Sequence, residues 1–93
     1  MRTRPVLAAI AMAVLAALAA AETHTITIDG MKYQPESLTV KRGDTVVWRN
    51  RDVVPHTATA PGKFDSGLIA NGASWSWTAG QAGRFDYVCT YHP

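Results

Sequence analysis

The sequence predicts an all-β protein, and two observations support this prediction. Apolar and polar residues alternate over several short segments, which is the pattern of a strand with one buried face. Glycine or proline separates these segments, and no window of 11 or more residues after residue 21 keeps a helical period. Six short strands of this kind favour a single domain built as an antiparallel β-sandwich.

The predicted strands differ in length but share the alternating pattern. In chain order they cover residues 23–28, 38–40, 45–49, 56–60, 74–78 and 84–89. In the first strand His24, Ile26 and Ile28 share one face and threonines occupy the other. We expect His24 to be an ordinary polar residue there. Gly43-Asp44 signals a tight turn between the second and third strands.

Aromatic residues recur on one face of the later strands and are expected to fill the core. These are Trp48, Trp75, Trp77, Phe85 and Tyr87. In the last strand Cys89 is two residues from Tyr87 and four from Phe85, so the three side chains share one face. The pattern therefore predicts that Cys89 ends this strand on its buried side.

The first 21 residues have the layout of a secretory signal. Arg2 and Arg4 precede an apolar run of 16 residues, Val6 to Ala21, which is shorter than the roughly 20 residues of a spanning helix. Small residues at Ala19 and Ala21 form the pattern that a leader peptidase reads. We predict cleavage after Ala21, with an uncleaved membrane anchor as the alternative.

Cleavage would leave one domain, residues 22–93, with seven basic and seven acidic side chains. A neutral domain without clustered lysine or arginine offers no electrostatic footprint for nucleic acid or for an anionic membrane. A domain of this size often depends on a disulfide or a metal. Its single cysteine, Cys89, is a buried apolar residue, a cross-link to a partner or a metal ligand.

Two histidines accompany Cys89 in a pattern that suggests a metal site. His92 follows the cysteine by three positions, and His56 comes directly after Val-Val-Pro, where the proline stiffens the chain. Two imidazoles and one thiolate suit a single copper ion. The alternative is a buried cysteine beside two loop histidines with no metal.

Four stretches of the chain resemble the cupredoxin family of blue copper proteins, and most of all its amicyanin and pseudoazurin branch. They are Gly30 to Pro35, Leu38 to Trp48, Pro55 to Thr57 and Gly83 to Pro93. The resemblance implies a Greek-key sandwich in which His56, Cys89 and His92 bind copper. It also implies an axial methionine soon after the second histidine, followed by a further strand. Neither occurs after His92 in the 93 residues of this sequence.

Three explanations of this departure remain open. The chain is a truncated form, or a natural short form with three protein ligands and water as a fourth, or Met31 replaces the axial ligand. Met31 occupies a position where methionine more often fills a core.

Other departures from the family lie in the ligand loops. Thr57 stands where many relatives have asparagine. We expect its backbone N–H still to face the sulfur and the Thr90 hydroxyl to replace part of the bridge that the asparagine side chain makes between the loops. Tyr91, at a position that is often proline, favours a looser loop.

The resemblance implies a periplasmic electron carrier rather than an enzyme. We expect a monomer that cycles one copper ion between Cu(II) and Cu(I) and docks transiently, near His92, with a donor and an acceptor redox protein. After cleavage no membrane association is expected. The alternative function is copper storage or delivery without electron transfer. An enzyme has no support, because the sequence carries no Ser-His-acid set or phosphate loop.

Overall fold

The computed structural model describes residues 21–92, which form eight β-strands without a helix in this range. The strands are β1 Thr23–Asp29, β2 Lys32–Gln34, β3 Ser37–Val40, β4 Thr45–Asn50, β5 Thr59–Ala60, β6 Phe64–Asp65, β7 Ser74–Thr78 and β8 Gly83–Asp86. The predicted leader, apart from Ala21, lies outside the described residues, as does Pro93. Within them there is no helix long and apolar enough to span a bilayer.

The strands form one four-stranded sheet and two strand pairs. The large sheet has the order β2-β1-β4-β7, while β3 pairs with β8 and β5 with β6. The predicted all-β sandwich is confirmed. One pairing differs from the antiparallel expectation, because β1 and β4 run parallel, in register from Thr23 opposite Thr45 to Ile28 opposite Asn50.

The core lies against the inner face of the large sheet. Its centre is Trp48, whose ring lies 5.4 Å from that of Tyr87 and 5.5 Å from that of Trp75 between centroids. Trp48 and Tyr87 are buried, while Trp75, Trp77 and Phe85 are half-buried and pack against the same cluster. The aromatic residues therefore have the packing role that their alternation predicted.

Two predicted strands are shorter in the structure than in the sequence interpretation. Of residues 56–60 only Thr59–Ala60 forms a strand, and β8 ends at Asp86 rather than at Cys89. Beyond Asp86 the chain leaves β3 and pairs with β5, because Val88 and Thr59 exchange backbone hydrogen bonds of 2.9 and 3.0 Å. Cys89 is nevertheless 2% exposed, so the prediction that its side chain is buried is confirmed.

A buried carboxylate fixes the start of β1 to the turn before β4. The side chain of Asp44 is 1% exposed and accepts hydrogen bonds of 2.9 Å from Lys41 N–H, Glu22 N–H and His24 Nε2. These donors, the Lys41 N–H foremost, lower the pKa of Asp44 from 3.8 to about 2. His24 is therefore engaged with a buried acid rather than with solvent alone.

We expect Asp44 to make the fold sensitive to acid. Because its pKa is lower in the folded chain, its stabilisation is complete above pH 4 and is lost as the pH falls from about 4 towards 2. Asp44→Asn should reduce the free energy of unfolding at pH 7 and flatten this part of the pH profile, as measured by urea unfolding. Asp86→Asn, at an exposed position, is the control and should leave the profile unchanged.

Candidate metal centre

The structure brings together the three residues that the sequence selected. Ligand atoms of His56, Cys89 and His92 all lie within 4.8 Å of one another. Cys89 Sγ is 3.4 Å from His92 Nδ1, and the two imidazole centroids are 5.2 Å apart. His56 and Cys89 are buried, whereas His92 is exposed. Two residues of the cluster are therefore enclosed by the fold, and the third lies at the protein surface.

His56 is fixed both through its backbone and through its ring. Its N–H and C=O form a bridge with Ile69, with hydrogen bonds of 3.1 and 2.7 Å. Its Nε2 lies 2.8 Å from Oδ2 of Asp52, a contact that assigns the proton to Nε2. The buried Nδ1 then has no hydrogen-bond partner. An unpartnered lone pair at this depth is what a metal ligand requires.

Asp52 links His56 to the turn between β1 and β2. Its carboxylate also accepts the N–H of Gly30 at 2.6 Å and the N–H of Met31 at 2.9 Å. The left-handed backbone of this turn, with φ of 60° at Gly30 and 64° at Met31, aims both donors at the carboxylate. The hydrogen bond from Met31 contributes most to lowering the pKa of Asp52. An ionised Asp52 is thus available to hold the imidazole.

Asn50 fixes the loop that carries both Asp52 and His56. Its side chain is fully buried, and its Nδ2 donates to the carbonyl oxygens of Val54 and Ile69, each at 2.9 Å. Its Oδ1 accepts the N–H of Asp52 at 2.9 Å. Removing this amide would take these three partners from the backbone, and the contact with Ile69 is fully buried, so the loop geometry depends on Asn50.

The second ligand loop presents Cys89 as an acceptor. Its sulfur receives the N–H of Thr57 at 3.3 Å, and the N–H of His92 closes the turn onto Cys89 O at 3.1 Å. Burial raises the pKa of the thiol, but the N–H groups of Thr57 and Tyr91 and the nearby imidazoles outweigh it and lower the pKa from 9.0 to about 6. The thiolate, which is the form that binds metal, is therefore favoured at neutral pH.

A threonine pair joins the two ligand loops. The hydroxyl of Thr57 accepts the N–H of Thr90 at 2.9 Å and lies 3.4 Å from the Thr90 hydroxyl. Tyr33 holds the other side of Thr57 by donating its hydroxyl proton to the Thr57 carbonyl. The structure confirms the expected N–H of Thr57 at the sulfur. It also shows that the bridge depends mainly on the Thr57 hydroxyl and the Thr90 backbone.

The expectation that Met31 fills the core is wrong. Its side chain is 52% exposed because residues 30 and 31 form the turn that binds Asp52. Met31 lines the same surface cleft as Cys89 and His92. Its established contact with the site is through its backbone N–H. The identity of an axial ligand stays open.

Sequence reasoning missed Asp52 and Asn50. The available signal was an acidic residue four positions before a candidate histidine ligand, and an asparagine that ends a strand with otherwise apolar inner positions. Metal-binding histidines usually donate their second N–H to such an acid. Two imidazole nitrogens and a thiolate fit a transition metal that accepts both nitrogen and sulfur, and hydrogen bonds from outside the cluster hold His56 and Cys89.

The fold and this donor set define the chain as a small β-sandwich with a single candidate metal centre in residues 21–92. The chain belongs to the family described as Cupredoxin-like domain, whose sequence model matches residues 5–93.

Known proteins similar to this chain include amicyanins. Amicyanin of Paracoccus versutus is 33% identical over 90 residues, which cover 86% of this chain, and amicyanin of Paracoccus denitrificans is 37% identical over 78 residues, which cover 73%. The aligned regions span 65% and 56% of those relatives. A solved structure of a methionine-to-alanine variant of amicyanin with Cu(I) matches with a TM-score of 0.69 and 35% identity, covering 76% of this chain and 73% of the other.

Proposed function

We propose that this chain is a blue copper protein that transfers single electrons. The observation that carries the proposal is the buried, unpartnered Nδ1 of His56 in the same cluster as Cys89 Sγ and His92 Nδ1. The support from known proteins is membership of the Cupredoxin-like domain family and the similarity to a Cu(I) amicyanin structure. The role is that of a carrier rather than an enzyme.

The residues of the chain would hold copper in a fixed frame. His56, Cys89 and His92 would be the ligands, and bound copper would supply a Cu(II)/Cu(I) couple. Asp52 and Asn50 keep the His56 ring in place, and the Thr57 N–H stabilises negative charge on the sulfur. A frame held by these hydrogen bonds needs little rearrangement when the charge at its centre changes.

Copper loading should depend on all three ligands. We expect one Cu(II) per chain and an intense visible thiolate-to-copper band. Cys89→Ser should abolish the band because it removes the thiolate, while His56→Ala and His92→Ala should weaken binding. Absorption spectroscopy with copper titration measures each effect, and cyclic voltammetry should show a reversible one-electron couple.

His24→Ala is the matched control, because His24 is the remaining histidine of the chain and contacts Asp44 instead of the cluster. It should retain the band. A colourless protein that binds Cu(I) alone and shows no reversible couple would contradict electron transfer and favour storage or delivery.

Asp52 should act as a positioning residue for His56. Asp52→Asn removes the negative charge that accepts the Nε2 proton, so copper affinity should fall by about 10- to 100-fold and the reduction potential should shift. A competition titration and voltammetry measure the two effects. Asp86→Asn, an exposed carboxylate paired only with Arg84, is the control. Unchanged affinity and potential in Asp52→Asn would contradict this role.

Redox partners would dock at an apolar patch around His92. The patch consists of Val54, Pro55, Leu68 and Tyr91, which line one shallow surface depression together with His92. Leu68 is 61% and Tyr91 66% exposed, so two large apolar side chains beside His92 are available to a partner. Small apolar contacts of this kind allow a partner to bind and leave quickly.

Electron self-exchange between Cu(I) and Cu(II) copies tests the patch without knowledge of the partner. Leu68→Asp should slow self-exchange about tenfold or more, because two like charges would meet in the encounter complex. NMR line broadening measures the rate. Ser76→Asp, on the exposed side of β7, adds the same charge elsewhere and should have a smaller effect. Equal slowing by both variants would contradict docking at the patch.

The proposal includes export to the periplasm. Residues 1–21 would be the leader and residues 22–93 the copper domain, which is supported by the basic start, the apolar run and the small residues before position 22. The chain would work as a monomer between a donor and an acceptor. Cell fractionation checks the location. The protein should appear in the periplasmic fraction, and its presence in the cytoplasmic fraction alone would contradict export.

A further inference from the structure

The buried carboxylate of Asp44 lies against the backbone nitrogen of Glu22. Oδ1 of Asp44 is 2.9 Å from Glu22 N, while Oδ2 receives Lys41 N–H and His24 Nε2. Burying an ionised carboxylate without a cation is costly. The Lys41 ammonium lies 3.5 Å from Glu22 Oε1 at the exposed surface, and the basic side chain that contacts Asp44 is the imidazole of His24, 2.9 Å from Oδ2.

Glu22 is held in place on both sides of its Cα atom. Its N–H binds Asp44, and its carbonyl accepts the N–H of Thr45 at 2.9 Å. Ala21 is exposed, as Glu22 is, but it precedes these two backbone hydrogen bonds. The peptide bond between Ala21 and Glu22 thus lies at the boundary between exposed chain and fixed sheet. The small residues Ala19 and Ala21 independently mark this bond for a leader peptidase.

We propose that the chain is cleaved between Ala21 and Glu22 and that the new α-ammonium of Glu22 forms an ion pair with the buried carboxylate of Asp44. Water adds to the carbonyl carbon of Ala21, and the C–N bond breaks. Ala21 leaves as a carboxylate, and the Glu22 nitrogen takes up protons to become an ammonium group. This nitrogen is already 2.9 Å from Oδ1, so no rearrangement of the sheet is needed.

Cleavage would place a full positive charge beside Oδ1 of the buried carboxylate, in addition to the contact between Oδ2 and His24, so that processing stabilises the fold. An α-amino group has an ordinary pKa of about 7.7–8.0 and is mainly protonated at neutral pH. Pairing with Asp44 raises this pKa, so the stabilisation is present below pH 8 and is lost as the pH rises through the raised value. The other titratable groups around the pair are His24, Lys41 and the Glu22 side chain. This inference does not depend on copper binding.

The experiment begins with the full chain exported from a bacterial host. Mass spectrometry of the purified product should give Glu22 as the first residue. The product is then treated with an amine-acylating reagent at pH 7, and labelling of the α-amine is compared with that of Lys41. In Asp44→Asn the α-amine should react about tenfold faster, which corresponds to a pKa lower by about one unit.

Asp29→Asn is the matched control, because Asp29 is an exposed acid at the other end of β1. It should leave the labelling rate unchanged. A different first residue, or equal labelling in Asp44→Asn and the wild type, would overturn the proposal. NMR titration of the wild-type α-amine covers the case in which Asp44→Asn does not fold. A pKa above 8 supports the ion pair, and an ordinary value overturns it.

Discussion

The parallel pairing of β1 with β4 is the constraint on which the rest of the structure depends. Parallel neighbours cannot be joined by a tight hairpin, so their relative position must be fixed in another way. Two aspartates that flank β4 perform this function. Asp44 precedes the strand and binds backbone N–H at the start of β1, while Asp52 follows it and binds the turn after β1. Each carboxylate also contacts one histidine ring.

This pairing makes the candidate metal centre a continuation of the sheet. β4 ends at Asn50, the residue level with Ile28 in the core, and Asn50 and Asp52 then orient the loop to His56. The second loop reaches the same place because Val88 pairs with Thr59, which puts Cys89 beside Thr57. Both halves of the centre thus depend on backbone pairing, and the side chains add the last hydrogen bonds.

The sequence predicts those parts of the molecule that depend on local pattern. Alternation identified β1, β4 and β7, and the spacing of Cys89 and His92 identified one ligand loop. It could not show that Asp52 binds the β1–β2 turn, because the N–H donors of that turn lie 21 and 22 residues from Asp52 in the chain. The parallel pairing was missed for the same reason, since a period of two does not show which strand lies alongside. Met31 was misread because an apolar residue in a positive-φ turn looks like a core residue.

The turn at Gly30 and Met31 constrains how this protein can vary over evolution. Its contribution to His56 comes from two backbone N–H groups, so the chemical nature of the side chain at position 31 is not used in that contact. What the position must keep is a left-handed backbone, which glycine and asparagine adopt more readily than β-branched residues. For the contact with Asp52, a substitution at this exposed position is therefore limited by backbone conformation rather than by polarity. A valine there would disturb a buried imidazole through two hydrogen bonds, although the three candidate ligands would be unchanged.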